Sequence, residues 1–232
     1  MLIWIWWSTM LCNSTINIWL WNKKRNKKRD YLAGLYIFVN AYRSTFPVIH
    51  STNTCLIAYS SPFVERSLST IAELAFIIQL TQWFQLENDY IIKLICAAEI
   101  SCWLGIITGN QYWHAFEESI WCYCAIFLLI QLRYNRTKLI KFKKILTTNI
   151  LYGYISYMII YDIPLYITNP NVEKKQILLC ENISTDFTVW KPYLIWMTGY
   201  FTMGSWVSLA LRIRRDPLNP RTTFKGQMSI KP

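Results

Sequence analysis

Apolar residues run along this chain in long blocks, separated by short clusters of Lys and Arg. Five blocks, 67–86, 91–108, 113–132, 146–168 and 193–211, approach the roughly 20 mostly apolar residues that a helix needs to cross ~30 Å of hydrocarbon. A sixth block, 31–49, is less apolar and contains Arg43 and Pro47. A seventh, 1–21, carries no charge but is interrupted by Cys12-Asn13-Ser14-Thr15. Barrel strands would show dyad alternation over about ten residues. Longer blocks point to helices, which satisfy their own backbone hydrogen bonds in lipid. The expected fold class is therefore all-α: a polytopic transmembrane helix bundle of six spans, with the N-terminal segment as a candidate seventh.

The chain divides accordingly. Residues 1–22 form an apolar segment that is transmembrane or interfacial, 23–30 a basic inner-side segment, 31–211 the bundle, and 212–232 a basic inner-side tail. A secretory signal places positive charge before its apolar core. Here the charge follows it, so the segment is expected to be retained. Trp4, Trp6, Trp7, Trp19 and Trp21 suit the membrane–water boundary, where Trp is enriched.

Composition narrows the class further. Hydrophobic residues are 53% and charged residues 16% of the chain, against about 25% charged in a soluble domain. This excludes a disordered chain, a coiled coil, a collagen-like chain and a disulfide knot. It also argues against a soluble enzyme. The net charge of +11 sits in three places: 23–29 (with Lys23, Lys24 and Arg25), 133–144 (with Lys141, Lys143 and Lys144), and the tail (with Arg214 and Arg215). Positive loops stay on the side from which insertion starts. Four crossings between the first two clusters and two between the second and third put all three on one side. Nineteen of the 24 Lys and Arg then lie inside, counting Lys93, and four lie outside: Arg66, Lys174, Lys175 and Lys191. Such clusters attract anionic headgroups by about 1 kcal/mol per residue, so anionic phospholipids such as cardiolipin are expected partners. No nucleic-acid partner is expected, because no folded reading surface is left over.

Ionisable residues inside spans are costly, at roughly 2.5–3.5 kcal/mol each on insertion scales. Here they share a depth. Arg43, Glu73, Glu117, Glu118 and Asp162 lie five or six residues from the outer ends of their spans, or roughly 8–10 Å below the boundary at 1.5 Å per residue. Glu99 is deeper, and His114 sits at the outer rim. Five acids and one Arg carry too much charge for a low-dielectric layer. Protonated carboxyls, a metal ion or a partner protein would relieve it. The favoured arrangement is a hydrogen-bonded polar core, with Arg43 as counter-ion to Glu73 or Asp162 and Ser67, Ser69, Thr70 and Gln79 as helpers. No cofactor is predicted. The one metal option uses His114 and Glu117, three residues apart on one helical face, completed by Glu73 and Glu99. Pro47 and Pro164 are expected to end helices beside Arg43 and Asp162.

Cys55 and Cys180 fall in the two long outer loops and are the pair placed to form a disulfide if that side is oxidising. Asn182-Ile-Ser184 is a glycosylation sequon on the same side. Small size, no extramembrane domain and no catalytic signature point first to an accessory subunit of a multi-subunit membrane complex. Other membrane subunits would be its partners. An AT-rich-looking composition favours a respiratory-type complex of the mitochondrial inner membrane over the endoplasmic reticulum or another secretory-pathway membrane. The alternative is a stand-alone intramembrane enzyme or transporter, using the carboxylate and His cluster on a proton, a divalent metal or a lipid headgroup.

Overall fold

The computed structural model of the protein describes residues 1–23, 31–84, 89–134, 141–168, 180 and 182–212. These residues are largely helical. Helix α1 (Leu2–Lys23) is followed by α2 (Tyr31–Thr45), α3 (Pro62–Phe84), α4 (Tyr90–Thr108) and α5 (Tyr112–Tyr134). Helix α6 (Lys141–Tyr157) continues through a π-turn at Met158–Asp162 into α7 (Ile163–Thr168). The last rod consists of α8 (Phe187–Trp190), α9 (Leu194–Gly199), a second π-turn at Tyr200–Gly204, and α10 (Ser205–Arg212).

Four of these segments are long and apolar enough to cross a membrane: Tyr90–Thr108, Tyr112–Arg133, Ile145–Thr168 and Leu194–Leu211. This makes the chain an integral membrane protein. Helices α1, α2 and α3 fall outside that criterion for different reasons. Helix α2 has 15 residues, or about 22 Å at 1.5 Å per residue. Helix α3 is diluted by Ser, Thr, Gln and Glu73. Helix α1 is diluted by Ser, Thr, Asn and Trp.

Consecutive helices pack as neighbours from α1 to α6, and α10 returns against α1, α2 and α3. Side chains show how α1 lies. Trp7 Nε1–H donates to the Thr45 carbonyl, Ser14 Oγ meets Ser44 Oγ at 2.8 Å, and the Trp21 ring sits against Phe38. Helix α1 therefore runs antiparallel to α2 along its length. The largest apolar core joins Ile77, Ile91, Ile95, Ala98, Leu128 and Leu132 of α3, α4 and α5.

The segment between α2 and α3, expected to be a plain loop, forms a cap. Strands β1 (Val48–Ile49) and β2 (Thr54–Cys55) pair antiparallel around a 3-10 turn at His50–Thr52. Asn53 closes that turn at φ 47°, a left-handed conformation that Asn tolerates. Strand β3 (Asn182–Ile183) adds in parallel to β2. The Cys55–Cys180 disulfide, with Cα atoms 6.1 Å apart, ties the same two loops. Fully buried Trp190 closes the cap and donates its indole N–H to the Ser184 carbonyl at 2.8 Å.

Of three proline-marked boundaries, the one at Pro47 is as expected and the other two differ. Helix α3 begins at Pro62, because Pro suits the first helical turn, where its missing N–H has no partner to lose. Helix α2 stops at Thr45, ahead of Pro47. Pro164 does not end its helix. The π-turn before it widens the backbone, with Ile163 N–H donating to the Met158 carbonyl, and the chain continues helically to Thr168.

Candidate functional site

The cap end of the bundle holds the polar layer. Arg43 stands two residues before the C-terminal residue of α2. Glu65 lies in the first turn of α3, with Arg66 next to it and Glu73 two turns further on. Glu99 and Cys102 lie toward the C-terminus of α4, and His114, Glu117 and Glu118 open α5. Asp162 sits on the π-turn between α6 and α7. Antiparallel packing of successive helices brings these positions to one level. All of them are buried except Glu118, which is half-buried.

Two guanidinium groups organise the layer. Arg43 is 1% exposed. Its Nε–H donates to Glu65, whose second oxygen meets His50 Nε2. Its guanidinium carbon lies 4.3 Å from the centre of the Tyr200 ring, a cation–π distance. Glu73 is only a distant partner of Arg43, at 3.8 Å, and Asp162 accepts instead from Tyr157 Oη at 3.0 Å. Of the two expected counter-ions of Arg43, Glu73 is thus present at longer range and Asp162 is not; Glu65 is the nearer partner, because α3 begins a turn and a half earlier than its apolar block.

Arg66 was expected in an outer loop. It is instead buried on α3, where its Nη2 lies 2.5 Å from Glu99, 3.1 Å from Glu117 and 3.6 Å from Glu73. Hydroxyls complete the carboxylates. Ser69 and Tyr200 donate to Glu73 at 2.6 and 3.0 Å, and Thr70 donates to Glu99 at 2.7 Å. Two other expected helpers lie elsewhere: Ser67 donates to the Phe63 carbonyl, and Gln79 accepts from Ser208.

His114 Nδ1 faces two groups, Glu117 Oε2 at 3.1 Å and Cys102 Sγ at 3.6 Å. Its ring edge rests on Gly105, where a Cβ would come within 2.8 Å of it. The helix hairpin α4–α5 thus closes on the imidazole. One ligand atom from each of Cys102, His114 and Glu117 lies within 4.8 Å of the others, and the same holds for Glu73, Glu99 and Glu117.

A cavity of about 60 Å³ runs beneath the cap, lined by Arg43, His50, Arg66, Cys102, His114, Glu117, Glu118 and Asp162 among others. At ~10–15 Å³ per water it holds a few waters or a small hydrated ion. Sequence reasoning missed Glu65, Arg66, His50 and Cys102. A signal for the first two was present: Glu65, Ser69, Ala72 and Glu73 repeat at the three- and four-residue spacing of one helical face, directly after Ser61-Pro62.

Of the basic residues expected to meet headgroups, Lys23 ends α1 and lies 4.7 Å over the Trp19 ring. Lys141, Lys143 and Lys144 fall on the first turn of α6, at the end of the bundle opposite the cavity. Lys24, Arg25, Arg214 and Arg215 lie outside the described residues. The chain matches no family model, no curated protein and no solved structure.

Proposed function

We propose that this chain is a self-contained membrane protein that works through the cavity beneath its cap, binding a cation there, either a proton or a divalent metal ion. One observation carries the reading. Six carboxyls, Glu65, Glu73, Glu99, Glu117, Glu118 and Asp162, gather around two guanidinium groups: Arg43 pairs with Glu65 and, at 3.8 Å, with Glu73, and Arg66 with Glu73, Glu99 and Glu117. Buried charges need compensation. The acid surplus around a small cavity favours positively charged occupants. An intramembrane enzyme or transporter uses such a surplus, because ionisable residues at membrane depth mark ion and proton sites.

Six spans, α2, α3, α4, α5, α6–α7 and α9–α10, with α1 alongside as a seventh, accommodate this reading. Helices α1 to α3 turn Ser14, Asn17, Asn40, Arg43, Arg66 and Glu73 inward and leave Trp4, Ile16, Leu35, Phe38, Phe63 and Ile71 outward, as lipid-facing helices do. The basic clusters then share the inner side, where anionic phospholipid binds. The cap disulfide supports an oxidising outer compartment.

A second reading, an accessory subunit of a membrane complex such as a respiratory assembly of the mitochondrial inner membrane, is favoured by one feature. The Ile145–Thr168 segment is only 11% buried, which leaves a whole face for a neighbouring subunit.

The two are separated by purifying the full chain in mild detergent. The cavity reading expects a lone monomer whose carboxyl infrared bands shift when Mn²⁺ or Zn²⁺ is added, with the shift reduced in Glu117→Gln and Asp162→Asn. Co-migration with a large assembly and silent carboxyl bands would favour the subunit.

A further inference from the structure

We infer that Cys102, His114 and Glu117 form a zinc site with an open fourth position facing the cavity. The inference deepens the cation reading and rests on it. The metal option visible in the sequence joined His114 and Glu117 to Glu73 and Glu99. The structure redistributes these residues. Arg66 Nη2 already stands among Glu73, Glu99 and one oxygen of Glu117, so that acidic trio has its cation. The second oxygen of Glu117 turns to His114, and Cys102 arrives from the preceding helix.

The donor set and its spacing select the ion. Thiolate sulfur, imidazole nitrogen and carboxylate oxygen together suit zinc, which tolerates all three. With bonds of ~2.3 Å to sulfur and ~2.0–2.1 Å to nitrogen, tetrahedral ligands stand roughly 3.6 Å apart. Cys102 Sγ and His114 Nδ1 are 3.6 Å apart. His114 Nδ1 and Glu117 Oε2, at 3.1 Å, are slightly closer. These three side chains are held before any ion arrives: Gly105 backs the imidazole, and Arg66 anchors the first oxygen of Glu117.

A separate observation points into the same space. Gln111, 4% exposed, lines the cavity, and its Oε1 has no hydrogen-bond partner. A buried carbonyl without a donor is costly, and a metal-bound water in the cavity is a donor of the right kind. Three protein ligands plus water is the pattern of a catalytic rather than a structural zinc site. On binding, the Cys102 thiol loses its proton to cavity water as the Sγ–metal bond forms. Zinc then lowers the pKa of its own water, and that water becomes a nucleophile near neutral pH.

The test uses the full chain in mild detergent, loaded with Zn²⁺ and then with Co²⁺ in its place. One ion per chain is expected, and the cobalt form should absorb through thiolate-to-cobalt charge transfer. Cys102→Ser should abolish that band while helical content and the Cys55–Cys180 disulfide persist. Cys96→Ser, exposed on the same helix, should keep it. His114→Asn should weaken binding by at least about tenfold, the loss that even an outer-shell partner brings. A wild-type chain without stoichiometric metal or without the thiolate band overturns the site, whatever the variants do, as does a band that survives Cys102→Ser. If the band is missing while Mn²⁺ still shifts the carboxyl infrared bands, the cation cavity stands and the zinc site alone is lost. If both are missing, both readings go.

Discussion

Arg66 carries more of this protein than any other single side chain, because three carboxylates on three helices converge on one guanidinium. Removing a buried ion's partner costs about 3–5 kcal/mol, since the opposite charges stay behind in a low dielectric. Arg66→Met should therefore destabilise the chain by roughly that amount in denaturant titration. Glu73→Gln should cost clearly less, because Arg66 keeps Glu99 and Glu117 within 3.1 Å. Equal losses for the two variants would mean that Arg66 does not hold the layer together. The shared depth of Arg43, Glu73, Glu117, Glu118 and Asp162 was legible in the sequence by counting inward from the ends of the apolar blocks. Their pairing was not. Glu65 and Arg66 stand at the margin of a block, where hydropathy alone reads as loop. Cys102 reads as a small apolar residue until a neighbouring helix sets a histidine beside it.

At the scale of the elements, helix pairs close through small residues. A Cβ at Gly34 would sit 2.7 Å from the Trp21 ring, whereas nothing lies within 4 Å of a Cβ at Gly153. Gly34→Ala should separate α1 from α2 and cost about 1–3 kcal/mol as overpacking does. Gly153→Ala, with open space and a better helix former, should gain about 0.5–1 kcal/mol. Detergent-unfolding midpoints that move in opposite directions would check the pair, and a shared direction would refute the α1–α2 contact. The existence and order of the helices followed from block length. The π-turns did not. Asp162-Ile163-Pro164 looks like a helix end because Pro removes a hydrogen bond. A widened turn absorbs that defect without stopping the helix, and it also leaves Asp162 aimed at the cavity.

Across the whole molecule, the cap couples residues 48–55 and 182–190 to the buried layer. Strand β2 pairs with β1 on one side and β3 on the other, and His50 at the adjoining turn reaches Glu65. The disulfide joins positions 125 residues apart. Closing so long a loop stabilises a chain by about 2–4 kcal/mol in typical cases. The helices that already cross the bilayer restrict the unfolded chain, so the lower half of that range is expected. The effect should also be local. In Cys55→Ser/Cys180→Ser, amides of 48–55 and 182–190 should exchange faster with solvent deuterium, while those of α4 and the inner half of α5 keep their protection, because their core packs without the cap. His50 would then lose its fixed place against Glu65, and water would reach Arg43 from the cap side. Hydrogen exchange read together with carboxyl infrared bands decides the matter. If exchange rises evenly through every helix, the cap is merely a global staple. If it rises in the cap alone and the cavity bands shift with it, the cap controls access to the buried acids.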